Sequence, residues 1–286
     1  AYLFADNPSN QIKCGYFSNN TGDWGPPAPD DAVVDCGFQP RFIIAKPIST
    51  GGWYMMDVER GWSTSGDHQV AYRNASFEAQ NTNAEVPQDG IFNFNATSTG
   101  FEVTYSKPGT WMFMAIGSPQ SITSQTQLTL TDTTVSKVSD GSLVGGSTID
   151  QVLTVGETVQ ADTMVASTVA TPVFSATNYA GTSNSLEVTT GIDLDDGGGL
   201  IWIKKRTGSQ QHCLQDTEQG LEYYSPSSAT SPFWSSTTRV TGANSTGFTI
   251  GTDSEVNESG HDYSAWTFRE APAFFDVVTY TGQYTY

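Results

Sequence analysis

The stretch FIIAKPISTGGWYMMDVERG, residues 42–61, returns later in the chain as IWIKKRTGSQQHCLQDTEQG, residues 201–220. The two stretches align without a gap, and Asp57 falls on Asp216, 159 positions later (216 minus 57). Similarity at a fixed distance is the signature of a duplicated structural unit. Each copy carries a short apolar, β-branched run beside a turn rich in Gly or Pro, which predicts a buried strand.

The repeat extends outward from this stretch in both directions. Lys46 falls on Lys205 in the same gapless alignment. The further matches are STGFEV (98–103) with STGFTI (245–250), WMFMAIGSP (111–119) with YSAWTFREAP (263–272), and AYLFADNP (1–8) with AWTFREAP (265–272). The last match indicates that residues 1–8 resemble the end of a repeat. The chain therefore reads as a slice through a tandem array.

Repeated short strands with polar, Gly-rich connections predict two packed antiparallel sheets in each copy. The predicted fold class is all-β, with tandem antiparallel β-sandwiches and a small β-rich insert between them. Residues 74–87 are predicted to form at most a turn or two of helix. The predicted segments are 1–8 as the closing strand of a preceding unit, 9–120 as sandwich repeat 1, 121–165 as the insert or linker, 166–272 as sandwich repeat 2, and 273–286 as the opening strand of a following unit or a terminal strand that pairs elsewhere.

Composition excludes several classes of partner. A net charge of −18 disfavours nucleic acid and anionic membrane surfaces, because both are bound through clustered cations. Apolar runs stay short of the roughly 20 residues that span a bilayer. Three cysteines give no disulfide framework. Cys14 and Cys36 could pair, or these two and Cys213 are small half-buried thiols.

Acidic residues form two kinds of candidate site. Asp57 with Glu59, and Asp216 with Glu218, are spaced so that they would share one face of a strand, as the paired carboxylates of glycosidases must converge. Their recurrence in both copies beside a turn glycine favours a structural turn over two active sites. The loop GIDLDDGGGL offers Asp193, Asp195 and Asp196 as oxygen ligands for Ca²⁺, although acidic Gly-rich turns are common without a metal.

Aromatic residues suggest a binding surface. Tyr223, Tyr224 and Trp234 lie in polar, turn-rich segments, where exposed rings can stack on sugars. The alternative is that such rings pack inside the core or between subunits. The three histidines show no metal-ligand spacing, and the sequence contains no nucleophile elbow or phosphate-binding loop. The sequence therefore predicts a protein that is not an enzyme and has no cofactor other than the calcium considered above.

The signature GFQPRF (37–42), followed by Trp53, Arg60-Gly61, Gly100-Phe101 and MAIG (114–117), resembles a repeated domain of bacteriophage virion proteins, chiefly tail-fibre and tail structural proteins of marine phages. The second copy, with IWIKKR, STGF and YSAWTFREAPAFFDVVTYTG, is still more similar. The resemblance implies that each sandwich is jelly-roll-like and lectin-like and lies on the exterior of a virion, and it identifies no chemistry.

The resemblance leads to a functional expectation. We expect a tail fibre or similar appendage that contributes to adhesion to a host-surface glycan. Its expected partners are other virion proteins and further copies of the chain, with a homotrimer expected from the family. The alternatives are a capsid-decorating or filament-forming protein, in which the end segments complete sheets of neighbouring subunits, and the carbohydrate-binding module of a polysaccharide-degrading enzyme.

Overall fold

The structure is a computed structural model that describes residues 1–19, 32–49, 52–62, 75–79, 82–87, 93–105, 108–117, 127–128, 164–165, 172–227, 229 and 233–281. The chain divides into two compact units. The first combines Ala1–Gln120 with Pro172–Tyr286, and the second is Ser121–Thr171. Among the described residues the chain is almost entirely β-structure, as the sequence predicts.

The strands of the first half are β1 (Tyr2–Phe4), β2 (Ile12–Asn19), β3 (Ala32–Asp35), β4 (Phe42–Pro47), β5 (Tyr54–Asp57), β6 (Ala75–Glu78), β7 (Val86–Pro87), β8 (Asn93–Ala96), β9 (Gly100–Tyr105), β10 (Gly109–Ile116) and β11 (Gln127–Leu128). Those of the second half are β12 (Met164–Val165), β13 (Phe174–Ala180), β14 (Leu186–Thr189), β15 (Gly199–Lys205), β16 (Cys213–Asp216), β17 (Tyr223–Tyr224), β18 (Trp234–Ser235), β19 (Val240–Asn244), β20 (Gly247–Ile250), β21 (Asp262–Arg269) and β22 (Phe275–Val277). Among the described residues, helical structure is limited to α1 (Ser254–Asn257) and single 3₁₀ turns at Pro8–Asn10 and Val58–Arg60.

The two repeats have the same strand order. In the first, one sheet runs β2-β10-β4-β5 and continues through β6 and β7, while the facing sheet runs β3-β9-β8. In the second, the sheets run β13-β21-β15-β16 and β14-β20-β19. All these neighbours are antiparallel, and the sheets are open among the residues that the structure describes. Two facing antiparallel sheets make each repeat a sandwich.

Each sandwich has its own apolar core, filled from alternate residues of its strands. In the first repeat Ile43 and Ala45 of β4 point into a core rich in aromatic rings, including Trp111 of β10. In the second repeat Ile201 and Ile203 of β15 occupy the corresponding place. The residues between them in sequence face the opposite side of the sheet, where the two repeats meet.

The strand registers show that the gapless sequence alignment is wrong by one residue where it aligns β15 with β4. Phe42 lies opposite Asp57, whereas Leu200, and not Ile201, lies opposite Asp216. The connection between β15 and β16 is one residue longer than that between β4 and β5. Lys46 therefore corresponds to Lys204 rather than Lys205. Since a slip of one residue exchanges the two faces of a strand, the correction decides which side chains meet the other repeat.

Two further predictions from the sequence can be compared with the structure. The described part of residues 74–87 contains β6 and β7, which pair with each other, and no helical residue, which is within the limit of a turn or two that the sequence predicts. Pairing along the edge of the large sheet outweighs the weak local preference. In the second unit, β11 and β12 pair antiparallel, and the rest of the predicted insert lies outside the described residues.

Candidate functional site

The predicted calcium loop is a turn held by its own hydrogen bonds. Oδ1 of Asp193 accepts from the backbone N–H groups of Asp195 and Asp196, at 3.1 Å each. Asp195 and Asp196 are exposed. In the described part of the chain, no group of three or more His, Cys, Asp or Glu side chains is arranged to hold a metal ion. A calcium ion here stays a prediction.

The predicted aromatic patch is reduced from three rings to two. Tyr224 is buried with 8% of its surface exposed, because the guanidinium of Arg239 stacks on its ring at 3.8 Å. Tyr223 and Trp234, on the paired strands β17 and β18, remain 44% and 38% exposed. Phe233, next in sequence to Trp234, is 50% exposed and was not predicted. Its position beside Trp234 was the available signal.

The paired carboxylates do not share a strand face. Asp57 ends β5 and is the N-cap of the 3₁₀ turn Val58–Arg60, so that Glu59 belongs to the turn. The Asp57 carboxylate is 1% exposed and accepts from the backbone N–H and Nε of Arg60, at 3.0 and 2.6 Å. Glu59 is exposed and pairs with Arg41 at 2.8 Å. The expected shared face is wrong because the strand ends at the first carboxylate.

Asp216 makes the equivalent contacts in the second repeat. Its Oδ1 accepts from the backbone N–H of Gln219 at 2.8 Å, and its Oδ2 accepts from the Gln219 side chain at 2.9 Å. The residue three positions after the aspartate thus donates twice in both repeats, once from the backbone and once from the side chain. This geometry supports the structural-turn interpretation of both aspartates.

Each aspartate also accepts a third donor from a distant strand. Nε1 of Trp266, on β21 of the second repeat, donates to Asp57 of the first repeat at 2.9 Å. The hydroxyl of Tyr2, on β1, donates to Asp216 at 2.9 Å. Tyr2 and Trp266 occupy the same position in AYLFADNP and AWTFREAP. The sequence alignment placed the two rings at equivalent positions, but it did not reveal that each ring donates a hydrogen bond to an aspartate of a neighbouring unit.

The contact between the two repeats is a joint formed by Asp57, Arg60, Glu85 and Trp266, which we call the inter-repeat joint. The Arg60 guanidinium is buried, lies over the Trp266 ring at 5.2 Å and reaches Glu85 at 3.3 Å. Glu85 also pairs with Arg206 of the second repeat at 2.8 Å. The charges of the joint are therefore paired, as buried charges must be to avoid a large desolvation cost.

Aromatic side chains fill the apolar part of the same contact. The ring of Phe42 lies 5.4 Å from Phe174, 6.4 Å from Trp266 and 6.3 Å from Phe268, measured between centroids. Phe4 of β1 approaches the same Phe268 at 5.5 Å. The outer face of the second repeat is thus covered by repeat 1 and by β1.

Several buried titratable groups of the two repeats and of β1 have displaced pKa values. Burial, followed by the nearby charge of Lys205, lowers the pKa of Lys204 to about 8. Burial, followed by the charge of Asp216, raises the pKa of Tyr2. Burial also raises the pKa of Cys36 to about 12 and of Cys213 to about 11. Such thiols are protonated at neutral pH and are poor nucleophiles.

All three cysteines are free thiols, so Cys14 and Cys36 do not pair in this structure. The described histidines serve in packing. His212 is fully buried and its Nδ1 accepts from Nε1 of Trp202 at 2.8 Å, while Nδ1 of His261 lies 3.0 Å from the hydroxyl of Thr207. Among the described residues, no helix is long and apolar enough to cross a membrane.

Comparison with protein families distinguishes the second repeat from the first. Residues 169–285 match a family described as a domain of unknown function, DUF7483. The second repeat resembles a DUF7483 domain. No curated protein and no solved structure matches the chain. The DUF7483 range starts before β13 and ends after β22, so it includes the strand that follows the second sandwich. It contains Trp266 and Asp216 but leaves their partners Asp57 and Tyr2 outside.

Proposed function

We propose that the chain is a non-catalytic structural protein of a bacteriophage virion, a segment of a tail fibre or similar appendage on the exterior of the particle. The observation that carries the proposal is the burial of the repeated aspartate and the set of hydrogen bonds that it accepts in each repeat. Asp57 and Asp216 are 1% and 2% exposed, and each accepts from its own turn and from an aromatic residue of another strand unit. A buried carboxylate that accepts three hydrogen bonds from within the protein holds strand units together, and its burial supports a structural role over a catalytic one.

Serial joining of rigid sandwiches suits an appendage that must transmit force without unfolding. The joint combines buried, paired charges with a continuous set of aromatic rings. A net charge of −18 keeps such a protein soluble at high copy number. The sequence resemblance to phage tail proteins supports the same proposal and supplies the expected partners, which are other virion proteins and further copies of the chain.

Oligomeric state is the first test of the appendage proposal. Light scattering and negative-stain imaging of the isolated chain measure its mass and shape. We expect an elongated homotrimer, in keeping with the family. A compact monomer contradicts the fibre proposal. It would favour a capsid-decorating protein or a carbohydrate-binding module, and an assay of binding to insoluble polysaccharide would then separate these two.

A host-surface glycan is the proposed ligand, and the exposed rings of Tyr223 and Trp234 support it. Aromatic faces of this kind stack on sugar rings, and the neighbouring Arg239 is held by Asp253 and Glu255, which fixes the buried Tyr224 beneath the hairpin. A glycan array with the wild-type chain should give hits that the substitutions Tyr223→Ala and Trp234→Ala weaken at least tenfold. Tyr16→Ala is the matched control, because Tyr16 is 78% exposed on a different strand. Equal losses in all three variants contradict a site at this hairpin.

A further inference from the structure

The strands β1 and β22 pair in the same way as the first and last strands of each complete sandwich. In repeat 1, Ile12 of β2 lies opposite Ile116 of β10. In repeat 2, Phe174 of β13 lies opposite Phe268 of β21. Phe275 of β22 lies opposite Phe4 of β1 in the third pair. The third pair therefore has the register of an opening and a closing strand.

The sequences of the opening strands agree with this equivalence. Residues 174–181 read FSATNYAG and residues 275–282 read FDVVTYTG, with Phe, Tyr and Gly at the same spacing. Tyr179 is the second-repeat member of the aromatic position and packs against its sandwich core. Tyr280, the corresponding residue of the third pair, is 79% exposed. The third pair thus has a core-type residue without a core over it among the described residues.

The contacts between units run in one direction. The closing strand of repeat 2 supplies Trp266 to Asp57 of repeat 1, and the third pair supplies Tyr2 to Asp216 of repeat 2. In each case an aromatic donor of one closing strand meets the aspartate that ends a hairpin of the next unit. The third pair behaves as a unit in this series, although it contains only two strands.

The complete units show which kind of strand pairs with the second edge of a closing strand. The closing strands β10 and β21 are each paired on their second side with the first strand of a hairpin, β4 or β15. In the described part of the chain, β1 pairs with β22 alone, which leaves the backbone groups of Tyr2 and Phe4 unpaired on its other edge. Phe4 corresponds to Phe268, which lies opposite Leu200 in repeat 2.

The surface beside β1 is open and partly apolar. Leu3 corresponds to the fully buried Thr267 of β21, yet it is 51% exposed. A cleft of about 540 Å³ adjoins it, lined by Leu3, Ala5, Asp276 and the segment 270–275. An exposed strand edge next to an exposed apolar face is a ready template for strand addition.

From these observations we propose that the free edge of β1 and the adjoining face of Leu3 and Tyr280 bind a β-hairpin of the β4–β5 or β15–β16 type, carried by a further sandwich unit of this same kind. The hairpin pairs antiparallel with β1, with its Leu200-equivalent residue opposite Phe4. Its partner is defined by chemistry: a hairpin of alternating apolar residues that ends in aspartate. The proposal is independent of the virion function, because it rests on register and exposure alone.

The test uses the full chain and a synthetic peptide of residues 199–216 as the probe. Fluorescence anisotropy with labelled peptide should show saturable binding to the wild-type chain. The substitution Leu3→Lys, which places a charge beside the docked strand, should weaken binding at least tenfold. Val33→Lys is the matched control, because Val33 is a 72% exposed strand residue of repeat 1 and should leave binding unchanged. A peptide with Trp202→Pro, which lacks the N–H facing Tyr2, should not bind.

Amide hydrogen exchange locates the bound peptide independently of folding effects. The amides of Tyr2 and Phe4 point to the free edge and should gain protection on binding, while that of Leu3 already faces β22 and should change little. Absence of saturable binding up to millimolar peptide overturns the proposal, as does equal loss in the Leu3 and Val33 variants. A dimer of the chain alone that Leu3→Lys dissociates, but that excess peptide does not, would show that the edge binds a surface other than this hairpin type, and would likewise overturn the proposal.

Discussion

Trp266 donates its indole N–H to the carboxylate of Asp57, 209 positions earlier in the chain, at 2.9 Å. This hydrogen bond joins the closing strand of one sandwich to a hairpin end of the other. Because Asp57 also holds the buried Arg60, one carboxylate stabilises both its own turn and the contact between repeats.

Removing this carboxylate should be costly. Asp57→Ala leaves the Arg60 charge buried with Glu85 as its remaining ion-pair partner of the joint, and we expect the free energy of unfolding to fall by about 3–5 kcal/mol. Glu59→Ala, which removes an exposed ion pair two residues away, should cost less than about 1 kcal/mol. Chemical denaturation of both variants measures the difference. Similar costs for the two would show that Asp57 does not hold the joint.

The bond between Tyr2 and Asp216 should stabilise the third strand pair more weakly. Tyr2→Phe removes one donor while Gln219 keeps donating to the carboxylate, so we expect a loss of about 1–2 kcal/mol. Hydrogen exchange at the β1–β22 amides should report the same loosening. Tyr280→Phe is the control, because its 79% exposed side chain should contribute within about 0.5 kcal/mol. Equal effects would argue against the role of the Tyr2 hydroxyl.

The glycine of each STGF motif should not accept a side chain. A Cβ on Gly100 would lie 1.8 Å from the carbonyl oxygen of Val34, and one on Gly247 would lie 2.1 Å from that of Val188. We expect Gly247→Ala and Gly100→Ala each to cost about 1–3 kcal/mol, because the paired strands must separate. Gly242→Ala, with no atom within 4 Å of the added carbon, should be close to neutral in the same melting experiment.

Stability should depend on pH through Glu270. Burial raises the pKa of Glu270, and the charges of Asp276, Glu218 and Asp216 raise it further. The folded state therefore favours protonated Glu270. This contribution is complete below the ordinary glutamate pKa and is lost as pH rises through the folded value. At pH 7 the ionised group penalises folding, so Glu270→Gln should raise the melting temperature, and the gain should shrink as pH falls towards 4.

Net charge must be controlled in this comparison, because any such substitution also removes one negative charge from an acidic chain. Glu222→Gln makes the same charge change at an exposed position. Its effect on the melting temperature should be smaller at pH 7 than that of Glu270→Gln. If both variants gain equally, general charge repulsion rather than the local carboxylates accounts for the effect.

The repeat and the all-β class were predictable because duplicated residues and short β-branched runs are local signals. The register of β15 was not predictable. The extra residue lies in the connection between β15 and β16, where both copies are polar, and the alignment still matches Lys46 to a lysine. The role of Asp57 was predictable only in part. Its neighbour Gly61 indicated a turn, but its donor Trp266 lies in another repeat, and pairing over such a distance leaves no trace in local periodicity.

The prediction of the exposed aromatic patch had less support from the sequence. Tyr223 and Tyr224 are adjacent in a two-residue strand, so one ring must point inward and one outward. Sequence alone could not decide which, because the choice depends on Arg239, which stacks on Tyr224 from a later segment. The exposed ring proved to be Tyr223.

The pairing of Ala1 with Val278, 277 positions apart, bears on the order in which the protein folds. Contacts so distant in sequence carry the largest loop-closure entropy cost and slow the folding of β proteins. Each sandwich can close from strands of its own repeat, whereas β1 and β22 pair across nearly the whole chain and pack on Phe268 of the second sandwich. We expect the β1–β22 pair to form last on refolding, so that a late kinetic phase reports on it, while the cores of the two sandwiches are already protected.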